Sequence, residues 1–121
     1  MKRTPIKLGA TLLGALFLLA TPALAQEAKK EPTGKEIAYD RGKGNCLACH
    51  AMPLLPDAEQ PGNSGPPLIA MKDRYPDKAK LRAKIANPMA DNPNTFMPVF
   101  SSHKVLNDKE LDLVVDFIHG L

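Results

Sequence analysis

The sequence predicts an all-α domain of three or four short helices joined by two long loops. Three observations carry this. No segment alternates apolar and polar residues with the period of two that a half-buried strand needs. Thr33 and Glu36, and again Asn107 and Glu110, have the spacing of a helix capping box. Leu111, Val114, Val115 and Ile118 recur at i, i+3, i+4 and i+7, one face of an α-helix.

The chain begins with a segment of a different kind. Lys2, Arg3 and Lys7 precede the almost wholly apolar run Leu8 to Ala20, and Ala23-Leu24-Ala25 follows. A positive start, a short apolar run and a small-x-small site predict a secretory signal peptide over 1–25, cleaved after Ala25. The run is too short to span a bilayer, and Thr21-Pro22 breaks it. No cysteine stands near the site to take a lipid. Residues 26–32 then read as a flexible tail and 33–121 as one domain. The expected location is the periplasm of a Gram-negative host.

Removing Lys2, Arg3 and Lys7 brings the 16 basic residues down to the number of the 13 acidic ones. The basic balance therefore belongs to the signal segment. Without a basic patch interleaved with aromatics, nucleic-acid binding is excluded as an expectation. Nothing after Ala25 is long and apolar enough to cross a membrane.

Taken in order, the capping box at Thr33 predicts a helix from Gly34 to about Arg41, stopped by Gly42 and Gly44. Ala51 to Leu68 holds five prolines and two glycines, which rules out a long helix or central strand. A loop this long inside a small domain is usually functional. Met71 opens a helical region. Asp77 caps a further helix that runs to Ala86 and stops ahead of Pro88. Its cations Lys78, Lys80, Arg82 and Lys84 read first as a solvated face, with a docking patch as the alternative. The second loop runs from Asn87 to Lys104. In the last helix, Leu106 and Leu111 are placed as a hydrophobic staple, and Gly120 is the stop. The aromatic residues of this domain are few: Tyr39, Tyr75, Phe96, Phe100 and Phe117. A domain so small and poor in core residues needs something besides side chains to fill its middle.

The stretch GNCLACH, Gly44 to His50, holds both cysteines of the chain. Cys-x-x-Cys-His is the attachment signature of c-type haem. Cys46 and Cys49 add across the two vinyl groups of the porphyrin, and His50 is thereby held under the iron as an axial ligand. One motif predicts one haem. A thioredoxin-like redox pair would need a βαβ setting, a structural zinc site would need four ligands, and a plain Cys46–Cys49 disulfide is the bland alternative.

Methionine commonly supplies the second axial ligand. Met52 is too near His50 to reach the other face. Met71 reads as core. Met97, in Asn94-Thr95-Phe96-Met97-Pro98, leads; Met89 and His103 stay open as alternatives. His119 reads as a cation at the end of a helix. Gly65-Pro66-Pro67-Leu68 offers a rigid carbonyl that the ligating imidazole can use, or is an ordinary turn.

A first helix, CxxCH, Gly-Pro-x-Leu, Met-Pro and a C-terminal helix together resemble the class I cytochromes c over nearly all of the domain. The resemblance implies that this is a small class I cytochrome c-like fold around one covalent haem, that Pro66 receives the His50 N–H and that Met97 ligates iron. GNCLACHAMP, PGNSGPPL, LRAKIANP, NPNTFMPVF and VLNDKELDLVVDFIHGL are similar, more narrowly, to the SoxX family. Its usual Met-Pro-Pro-Phe-Gly is here Met97-Pro98-Val99-Phe100-Ser101. That family implies the monohaem, electron-transferring subunit of a SoxAX complex, an L-cysteine S-thiosulfotransferase that joins thiosulfate to a SoxYZ carrier. The chemistry would belong to a larger SoxA-like partner, and a soluble cytochrome would take the electrons. A free electron shuttle of the same fold is the alternative. A haem peroxidase or gas-binding protein would need an open iron position.

Overall fold

Thr33 opens the first helix with both halves of its capping box made. Its hydroxyl accepts from the Glu36 amide at 3.2 Å, and the Glu36 carboxylate accepts from the Thr33 amide at 2.6 Å. The structure is a computed structural model that describes residues 30–102 and 105–121. The predicted signal segment and His103 lie outside them.

Four α-helices follow one another: α1 (Gly34–Tyr39), α2 (Met71–Arg74), α3 (Lys78–Ala86) and α4 (Asp108–His119). Single 3₁₀ turns occupy Cys46–Ala48 and Pro88–Ala90, and no strand occurs among the described residues. The all-α expectation holds. Helix α1 ends two residues short of Arg41 because Asp40 turns extended, at φ −64° and ψ 119°. Its carboxylate accepts from the Gly42 amide at 2.7 Å, and its carbonyl from the amides of Lys43 and Asn45, both at 3.0 Å. These turn bonds replace the next helical ones.

Helix α4 is the centre of the packing, with α1 and α3 both against it. The stripe Leu111, Val114, Val115 and Ile118 is buried, as are Ile37 of α1 and Leu81 and Ile85 of α3. Leu106 and Leu111, the expected staple, are both buried, and Asn107 closes the second capping box with Glu110.

The polar side of α4 meets the cations of α3. Lys78 pairs with Asp116 at 2.7 Å, while Arg82 reaches Asp112 at 2.6 Å and Asp108 at 3.0 Å. Lys84 turns away to Asp91 at 3.0 Å. Asp108, Asp112 and Asp116 are spaced four apart and share one helix face. Three of the four α3 cations are thus spent on partners within the chain. Such exposed pairs each contribute little, about 0–1 kcal/mol, and they follow from the packing of α3 on α4 through Leu81 and Ile85.

Candidate haem attachment site

The end of α1 hands the chain directly to the cysteine motif. The Gly44 amide donates to Ile37 O at 3.1 Å, and a Cβ on Gly44 would lie 2.8 Å from that same oxygen. Asn45 then takes the left-handed conformation, φ 47°, which asparagine tolerates better than most residues. Cys46 to Ala48 make one 3₁₀ turn, and the amides of Cys49 and His50 return to Cys46 O at 3.2 and 2.9 Å. Both thiols are free and partly buried. Burial pushes the Cys46 thiol up to about 11. The motif is a rigid hook presenting two sulfurs and an imidazole.

The imidazole is oriented by the proline turn. His50 Nδ1 donates to Pro66 O at 2.6 Å. A carbonyl can only accept, so a proton sits on Nδ1 and Nε2 is the nitrogen left to face a metal, the orientation a ligating histidine requires. Gly65 lies flat against the ring, since a Cβ there would come within 2.4 Å of His50 Cε1. The turn is tied at both ends, by Gly65 N to Cys49 O and Leu68 N to Ala51 O, each 2.8 Å.

A cavity of about 770 Å³ opens beside this hook, within the range of cofactor pockets. Leu81 and Ile85 of α3 and Val114 and Ile118 of α4 form apolar wall, with Met97 on the second loop. No aspartate or glutamate lines it among the described residues, whereas Arg41, Lys43, Arg74 and Lys84 do. Paired thiols, an imidazole oriented through Nδ1, apolar walls and a lining whose charged side chains are all basic fit a covalent haem.

The methionines separate. Met71 and Met97 line the cavity; Met52 is sealed in the core and Met89, 46% exposed, stands outside the lining. Met71 Sδ already accepts from Arg74 Nη1 at 3.3 Å. Met97 has no such engagement of its sulfur among the described residues; its amide donates to Thr95 Oγ1 at 3.1 Å. His119 is occupied elsewhere, its Nε2 donating to Tyr75 O at 3.0 Å. Sequence reasoning passed over Arg74, and took Gly65 only as part of the proline turn. The glycine's spacing to Pro66 was visible, but neither residue's contact with the His50 support could be read without the fold.

Residues 31–121 match the cytochrome c family. A chain of the crystal structure of SoxXA from P. pantotrophus superposes with a TM-score of 0.65 at 33% identity, covering 74% of this chain and 82% of that one. Among curated proteins, no sequence matches. No described helix is long and apolar enough to cross a membrane. With a single attachment motif, a family match over the whole domain and that likeness, the chain belongs to the cytochrome c family, as a SoxX-like monohaem cytochrome carrying covalent haem c.

Proposed function

We propose that this cytochrome is the electron-transfer subunit of a SoxXA-type complex, exported to the periplasm, in which a larger SoxA-like cytochrome links thiosulfate oxidatively to a SoxYZ carrier. Bound haem supplies a one-electron ferric–ferrous couple. Cys46 and Cys49 would hold it by thioethers, His50 and Met97 would ligate its iron, and Pro66 O, which accepts from His50 Nδ1 at 2.6 Å, keeps the ring in register. With His50 and Met97 both given to the iron, the chain would pass electrons onward to a soluble cytochrome and leave the substrate chemistry to the larger subunit.

The single observation that carries the complex role is the 33% identity to a SoxXA chain over 82% of that chain. The surface is consistent with it. Gly44 to Pro56, Gln60 to Met71 and Asn92 to Ser102 contain no Asp, Glu, Lys or Arg, and each segment contributes to the cavity lining. Phe96, which borders the cavity, is 97% exposed. Three uncharged loop segments with an exposed aromatic have the composition of an interface centre, with the cations Arg41, Lys43, Arg74 and Lys84 around the same cavity.

Reconstitution tests this. The separate protein should show little thiosulfate-dependent activity with SoxYZ, and the larger subunit should restore it. A host that oxidises thiosulfate normally after deletion of this gene would instead require a free cytochrome c shuttle.

A further inference from the structure

We infer that Arg74 is a positioning residue for His50, acting through the Pro66-Pro67 turn. The inference rests on the proposed ligation of iron by His50.

The turn that orients the imidazole has an unusual weakness. Pro66 and Pro67 have no amide N–H, so the middle of the turn has no backbone donor with which to anchor itself. Its bonds to the rest of the chain at Gly65 and Leu68 tie the ends only. Both prolines are exposed, so little of this chain's own packing holds them. What remains are two carbonyls. Pro66 O takes the His50 N–H at 2.6 Å, and Pro67 O takes Arg74 Nη1 at 2.8 Å. The Pro66 peptide is planar and the Pro67 φ is locked by its ring, so the Pro67 ψ is the one soft dihedral between the two carbonyls, and holding Pro67 O restrains the Pro66 peptide through it.

The chain is bent to deliver this guanidinium. Ala70 sits in the left-handed region at φ 51°, and α2 starts at the next residue. A non-glycine residue is held there against its steric preference. The bend brings Arg74, one turn later, back over the proline turn. Its Nη1 also contacts Met71 Sδ at 3.3 Å, and Met71 is buried in the core. Among the described residues no carboxylate pairs with Arg74. Arg74 Nη1 is therefore shared between the carbonyl of the His50 support and the sulfur of a core methionine.

Nuclear magnetic resonance of the reduced holoprotein tests this through solvent exchange of the His50 Nδ1 proton. Backbone amides of α4 report global opening in the same samples. Arg74→Ala should speed exchange of the His50 proton about tenfold, the loss expected for one charge-assisted hydrogen bond, and leave α4 amides unchanged. Arg74→Lys keeps a charged donor and should recover part of the protection. Unchanged His50 exchange in Arg74→Ala overturns the inference, and so does acceleration matched by α4, which would mark general destabilisation. Wild-type His50 ring protons at ordinary imidazole shifts would instead overturn the ligation, and the inference with it.

Discussion

Gly34 of α1 rests against the Leu113 carbonyl of α4 with no space for a methyl group between them. A Cβ built on Gly34 would fall 2.0 Å from Leu113 O and 2.9 Å from Phe117 Cβ. The two helices cross at this point, and the crossing places the cysteine motif that follows α1 beside the wall that α4 gives the cavity.

Gly34→Ala therefore has the opposite sign from an ordinary helix substitution. Alanine usually favours a helix over glycine by up to about 1 kcal/mol. Here the methyl must push backbone from backbone, and overpacking of this kind costs about 1–3 kcal/mol. Thermal melting of the holoprotein should show a lowered midpoint. A midpoint unchanged or raised would mean that the helices part without cost.

Met97→Ala should abolish the weak far-red band that methionine ligation gives a ferric cytochrome c. Met89→Ala should keep it, because Met89 stands outside the cavity lining. Absorption spectra of the oxidised variants decide. The reverse pattern would move the ligand to Met89.

Phe96→Ser should leave the spectrum and the melting midpoint unchanged, since the ring is 97% exposed and contributes almost nothing to the core. Its effect should appear in association with the larger subunit, weakened about tenfold or more if the ring is an anchor. Unaltered affinity would place the interface elsewhere.

Glu110 links stability to pH. Its carboxyl is held below the ordinary value of 4.5, first by the hydrogen bond from Lys43 and then by the Asn107 amide. A depressed folded-state value contributes stability that is fully present above the unfolded value and lost as pH falls through the folded one. Denaturant melts should weaken below about pH 4.5. Glu110→Gln keeps a capping side chain and should flatten that part of the dependence. An equally steep acid limb in the variant would assign it to other carboxylates.

The elements most legible from the amino-acid order are those whose causes lie within one helical turn. Thr33 and Glu36, and Asn107 and Glu110, satisfy one another three residues apart, so both helix starts are written locally. The apolar stripe of α4 is likewise a matter of period, and the attachment signature spans five residues, Cys46 to His50, whose spacing is itself the chemistry. The end of α1 was less legible, because Asp40 chooses turn bonds to Gly42, Lys43 and Asn45 over further helix, and its side chain suits either.

What the fold alone decided are the contacts between segments far apart in the chain. The basic run of α3 is silent about its partners; only the rotation of α4 brings Asp112 to Arg82 and Asp116 to Lys78. The four methionines of the domain are alike as residues, and only the folded packing separates Met71 and Met97, which line the cavity, from Met52 and Met89, which do not. Arg74 reads as one more surface cation until the left-handed Ala70 turns it onto Pro67 O. A hydrogen bond between neighbours needs little chain closure, so residue types and spacing predict it. A bond across tens of residues forms only where packing of the whole core has already fixed both ends, and no local pattern records that.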